Sequence, residues 1–138
     1  MNKKTLLILL LLLIILNEFV MSCFTRVVQV KFLDLTLPQY WLPRYDWVLC
    51  IEVLEHIPPK FENVAIDTID RTARHGVVLS WAVPSQFGYF HVNNRSPKYV
   101  NRTMFERGLM LDFGASRALR EQSTNVNLKK NVNVFVRK

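Results

Sequence analysis

Glu52, Glu55 and His56 stand together directly behind the apolar run at 47–51 and in front of Pro58 and Pro59. Carboxylates at such a place can accept hydrogen bonds from the hydroxyls and amines of a ligand, and an imidazole can move a proton near neutral pH. A further histidine, His91, follows the next apolar run with Asn93 close behind it. His91, with His56, is therefore the candidate base, the alternative being an exposed loop histidine with no chemical part. Trp81, Tyr89 and Phe90 could form an aromatic wall beside them, although Trp81 directly after a strand also suits the core.

These groups are useful only if regular structure converges on them. Trp47, Val48, Leu49, Cys50 and Ile51 form a short unbroken apolar run, the pattern of a parallel strand covered on both faces. The two prolines end its ladder. In an open α/β sheet ligands sit beyond the carboxyl ends of the strands, which is where Glu52, Glu55 and His56 fall. Residues 61–75 predict a helix with Phe61, Ala65, Ile66, Ile69 and Ala73 on its apolar side, Glu62, Asp67 and Asp70 toward the other, and Gly76 as its stop. A second strand at 77–82 completes a right-handed strand-helix-strand unit.

Residues 83–95 then read as a loop. Ser96 and Pro97 cap and open a helix over 98–107 that Gly108 ends. A short strand at 109–113, a helix at 115–122 and an alternating edge strand at 132–136 follow. Upstream, residues 27–33 predict a strand ended by Asp34-Leu35-Thr36, where Asp34 alone reads as a turn former bonding local amides. Residues 37–44, with Pro38 and Pro43, form an extended connection.

With 138 residues the chain holds one modest domain. Its net charge of +7 is spread along the sequence, with no arginine-rich block and no nucleic-acid-binding motif, so a nucleic-acid partner is not expected. Two cysteines, Cys23 and Cys50, exclude a disulfide framework and a zinc ribbon, and Cys50 inside its strand reads as a small buried hydrophobe. A short basic head and the apolar run 6–16 make residues 1–22 a signal peptide, with cleavage before Cys23, or an uncleaved signal anchor. The expectation is therefore the secretory pathway, with a product secreted or held at a membrane through residues 5–24. Asn94-Arg95-Ser96 and Asn101-Arg102-Thr103 are acceptor triplets compatible with that route.

Asp46, Val48 and the run Glu52-Val53-Leu54-Glu55-His56-Ile57-Pro58 resemble the fourth strand and following loop of class I S-adenosylmethionine-dependent methyltransferases. The resemblance continues through Asp34-Leu35-Thr36, through residues 76–82 and through His91-Val92-Asn93, and so covers residues 27–138. It implies a partial Rossmann-like α/β sheet, mostly parallel with an antiparallel last strand, and the apolar run 6–16 sets an N-terminal hydrophobic leader helix in front of it. It also implies methyl transfer from S-adenosylmethionine to an oxygen or nitrogen of an undefined acceptor. Asp34 would meet the adenine and Glu52 would line the donor pocket. Some members hold a divalent metal with a comparable set, here Glu52, Glu55, His56 and His91; otherwise Glu55 and His56 shape the loop.

The same resemblance requires a glycine-rich turn after the first strand, where backbone amides approach the donor. All four glycines, Gly76, Gly88, Gly108 and Gly114, follow the Glu52–His56 segment. The expectation is a truncated member of weak or no activity, or a noncatalytic binding module that keeps the remnant of the fold.

Overall fold

The computed structural model describes the backbone of Leu6–Ile8 and residues 31–138. Five strands form one sheet: β1 (Leu6–Ile8), β2 (Tyr45–Cys50), β3 (Ala73–Leu79), β4 (Leu109–Asp112) and β5 (Asn133–Arg137). Their spatial order is β1-β2-β3-β5-β4. The first three are parallel, and β5 lies antiparallel between β3 and β4. Helix α1 (Glu62–Thr72) connects β2 to β3; α2 (Pro97–Phe105), α3 (Phe113–Gln122) and the short α4 (Leu128–Asn131) follow.

The strand-helix-strand unit forms because its apolar pattern is continuous. Val48 and Cys50 of β2, Ala65, Ile66 and Ile69 of α1, and Val77 and Leu79 of β3 all belong to one buried cluster. Phe135 of β5 and Val100 and Met104 of α2 close it. Burial of that kind is worth roughly 1.5–3 kcal/mol for each large side chain. Ser96 caps α2 by accepting the Tyr99 amide at 3.2 Å, and Gly108 takes φ 74, a conformation open to glycine, just past the helix.

Several expectations move. Leu6–Ile8 are not helical: they pair in parallel with Val48, Leu49 and Cys50, because the outer edge of β2 has backbone groups to satisfy. The rest of the leader lies outside the described residues, among which no helix is long and apolar enough to cross a membrane. In the strand expected at 27–33, residues 31–33 are not extended into a ladder, and the remainder lies outside the described residues. The helix before β3 ends at Thr72, and Ala73 already pairs with Tyr45, so Gly76 is a strand residue and not a helix stop. A Cβ on Gly76 would lie 2.4 Å from the Phe135 carbonyl oxygen and 2.4 Å from the Trp47 ring, which explains glycine there. The final strand is interior, not an edge; β4 is the outer strand, since β5 exchanges hydrogen bonds with neighbours on both sides.

Candidate active site at the carboxyl end of the sheet

Immediately past β2 the backbone turns sharply. Glu52 takes φ 53, in the left-handed region that a side chain ordinarily avoids, at a cost of about 1–3 kcal/mol. The Glu52 amide donates to Ser80 Oγ at 2.7 Å, and the Ser80 hydroxyl donates back to Glu52 Oε1 at 2.8 Å. Gln86 Nε2 donates to the other carboxylate oxygen at 3.1 Å. Asn131, at the end of α4, donates to Glu52 Oε1 and to Gln86 Oε1, each at 3.0 Å. Ser80, Gln86 and Asn131, all distant from Glu52 in sequence, thus lock the strained residue, and charged hydrogen bonds offset its conformational cost.

Leu54–His56 form one 3-10 turn that places the next two groups in opposite environments. Glu55 is fully buried, and neither carboxylate oxygen has a hydrogen-bond partner among the described residues. Burial pushes its carboxyl up to about 7; the nearby backbone amides of Glu55 and Ala82 oppose this and the charge of Glu52 adds to it. Its backbone carbonyl is heavily used, accepting the amides of Val92 at 2.9 Å and Asn93 at 3.0 Å. His56, half-buried, turns outward, and its ring stands edge-on to His91 with centroids 5.0 Å apart.

The carbonyls around this pair fix its protons. His56 Nδ1 lies 3.2 Å from the Phe90 carbonyl oxygen and His91 Nδ1 lies 3.3 Å from that of Gln86. A carbonyl only accepts, so each neutral ring carries its hydrogen on Nδ1 and leaves the Nε2 lone pair available. Desolvation lowers the His56 pKa, assisted by His91 and opposed by the Phe90 carbonyl and Glu52, which favours the neutral base. Gly88 makes room for the second ring: a Cβ there would fall 2.2 Å from His91 Nε2.

A second polar cluster behind this one was not legible in the helical pattern, which set Glu62 on the outward side of its helix. Glu62 is instead buried. It accepts Asn93 Nδ2 at 2.9 Å, Arg95 Nε at 2.9 Å and Nη2 at 2.7 Å, and the Tyr99 hydroxyl. Desolvation raises its pKa, but the bonds from Tyr99, Asn93 and Arg95 outweigh that and hold the carboxyl below its ordinary value. Trp81 is core, and its indole donates to the Asn93 carbonyl at 2.6 Å. The one sequence cue was Arg95 and Tyr99 standing a helical turn apart across Ser96.

The structure brings Glu52, Glu55, His56 and His91 to one end of the sheet without forming a metal cage. Glu52 is spent on Ser80, Gln86 and Asn131, and Glu55 faces the core. Among the described residues no three His, Cys, Asp or Glu side chains are grouped to hold an ion. Asp34 sits in an Asx turn, accepting the Thr36 amide at 2.8 Å and hydroxyl at 2.7 Å, bonds that lower its pKa. Asn94, in the first acceptor triplet, donates its side-chain amide to the Val83 and Gln86 carbonyls.

The sheet order decides the architecture: parallel strands at one side, then an antiparallel strand inserted between β3 and β4. A crystal structure of magnesium protoporphyrin IX methyltransferase from Synechocystis PCC 6803 with bound SAH aligns with a TM-score of 0.53 at 16% identity, over 77% of this chain and 49% of that one. The chain has a class I methyltransferase fold. A structure of the same enzyme with bound SAM aligns with a TM-score of 0.49 at 18% identity, over 77% of this chain and 44% of that one. The chain thus spans about half the length of the solved methyltransferase. No family model matches it, and no curated protein does.

Neither of two hollows among the described residues is lined by Glu52. A groove of about 340 Å³ lies by β4, lined by Asn101, Phe105, Met110 and Phe113. A recess of about 20 Å³, room for one water, lies between Trp81, Arg95, Lys130 and Asn131. Side-chain amides of Gln86 and Asn131 fill the space above Glu52 instead.

Proposed function

We propose that the chain is a methyltransferase-type domain whose described residues supply the proton-accepting, acceptor side of a methyl-transfer site. The observation that carries this reading is the paired His56 and His91 at the carboxyl end of β2, both with Nδ1–H committed to carbonyls and Nε2 left as a base. An acceptor hydroxyl or amine reaching either Nε2 can give up its proton there, making its oxygen or nitrogen the stronger nucleophile.

The methyl donor implied by the fold, S-adenosylmethionine, is poorly matched. Its methionine end needs backbone amides at a glycine turn, and every glycine lies beyond β2. Asp34 and Glu52, the residues expected to meet its nucleoside, have carboxylates already engaged by Thr36 and by Ser80, Gln86 and Asn131. We therefore assign weak donor affinity and weak turnover to this chain. Calorimetry of the full chain with S-adenosylmethionine and S-adenosylhomocysteine tests it: millimolar or weaker binding is expected, and micromolar binding would overturn it.

The closed Glu52 network also favours a second reading, a noncatalytic binding module on the same fold. Residual methyl transfer that His91→Ala lowers without changing donor affinity supports the first reading. Methyl transfer by the wild type no faster than the uncatalysed reaction supports the second.

A further inference from the structure

The carboxyl end of the sheet carries an apolar surface that the site does not use. Phe87 is 92% exposed, Tyr89 and Phe90 are each 85% exposed and Val92 is 55% exposed. All four belong to the loop at 83–95, and that loop is pinned. Val92 and Asn93 donate to the Glu55 carbonyl, Arg95 donates to Ala82, and Phe90 accepts from His56 while holding φ 59. The chain therefore holds these aromatics outward on a fixed loop, in a conformation that costs energy.

The charge around them has one sign. Residues 83–98 and 123–138 contain no Asp or Glu. Helix α4 leads into β5 at this end of the sheet, its Asn131 bonded to Gln86 of the loop, and it carries the exposed Lys129 and Lys130. Lys60, also exposed, follows the turn that ends β2. The acids nearby are buried or already bonded: Glu55 in the core, Glu62 to Arg95, Glu52 in its network. Asp46 and Asp70 sit at the opposite end, paired with Arg74 and Arg137.

We propose that this face docks on a lipid surface bearing acidic headgroups, with Phe87, Tyr89 and Phe90 entering the interface and Lys60, Lys129 and Lys130 meeting the phosphates. Single-stranded nucleic acid would also attract cations and aromatics, but it stacks bases along a charged groove. Here the aromatic tips protrude, and the two hollows described above are an apolar groove at β4 and a recess the size of one water. Docking does not depend on methyl transfer, and it sets His56 and His91 at headgroup level.

The test uses the full chain with vesicles of phosphatidylcholine alone and of phosphatidylcholine with phosphatidylserine. Any contribution of residues 5–24 is common to all variants and cancels in their comparison. Wild type is expected to cosediment with the acidic vesicles. K129Q/K130Q should weaken that binding roughly 25-fold, at about fivefold for each lysine. F87S/Y89S/F90S, which keeps the lysines, should weaken binding to the acidic vesicles at least as much by removing the apolar insertion. Since that triple variant could misfold, F87W supplies a second measurement: its emission, after subtraction of wild type, should shift to the blue on acidic vesicles and be quenched by brominated acyl chains. The proposal is overturned if F87W is not quenched, if the folded triple variant binds like wild type, or if wild type binds a single-stranded oligonucleotide in preference to the vesicles.

Discussion

Glu55 sets a buried carboxyl against the ionisation that water favours, and replacing it with glutamine isolates that conflict. The unfolded chain ionises Glu55 at its ordinary 4.5, while the folded chain keeps the proton up to about 7. Between these values the unfolded state has released a proton that the folded state still binds, so stability falls as pH rises. Below the lower value both states are protonated and nothing is lost; above the upper one both are ionised and the loss is complete. A gap of this size corresponds to about 3 kcal/mol, a large part of the stability of a small domain. Glu55→Gln keeps the size and the polar atoms but cannot ionise. Urea unfolding of both proteins at about pH 5 and about pH 8 should therefore show wild type losing about 2.5 kcal/mol more than the variant, the remainder having been lost below pH 5. The Glu55 carbonyl also anchors Val92 and Asn93. Exchange of those two amides should accelerate with pH more steeply in wild type, beyond the intrinsic chemical dependence. Parallel stability curves for the two proteins would show that the carboxyl is not held in the environment described and would refute the reasoning.

Gly88→Ala would place a Cβ against the His91 ring, a side chain able to rotate away, so the midpoint of thermal unfolding should barely move while the His91 imidazole resonances shift; an unshifted ring would contradict the packing. Gly76→Ala meets the Phe135 carbonyl and the Trp47 ring, which cannot yield so readily, and should cost about 1–3 kcal/mol in urea unfolding. Glu62→Ala leaves Arg95 without its carboxylate at a partly buried site and should destabilise by about 3 kcal/mol, with the loss of near-ultraviolet Trp81 and Tyr99 signal as a second readout.

What was legible in the sequence was what local chemistry decides. The apolar run through Cys50, the Ser96 cap with Pro97 behind it, and the glycine at 108 each depend on neighbours a few residues away, and each lies where its pattern places it. The parallel core and its acidic edge follow from the same local logic. The boundary between α1 and β3 did not, because Arg74 and His75 are exposed and polar in either conformation. Their strand is settled by Tyr45 and Asp46 of β2, pairing partners 28 residues upstream. Non-locality also hid the chemistry. Glu52 reads as an open ligand group until Asn131, 79 residues later, is found donating to it. A cage of this kind has no spacing signature, since each member satisfies its local pattern without the others. It also changes what the acid can do. A carboxylate already holding three side-chain donors must lose at least one of them before it can accept a ligand hydroxyl, and the loss leaves a buried amide of Gln86 or Asn131 unpaired, at about 1–3 kcal/mol each. Donor binding through Glu52 therefore competes with the fold itself, whereas His56 and His91 meet carbonyls through Nδ1 and can take a proton at Nε2 without breaking those bonds.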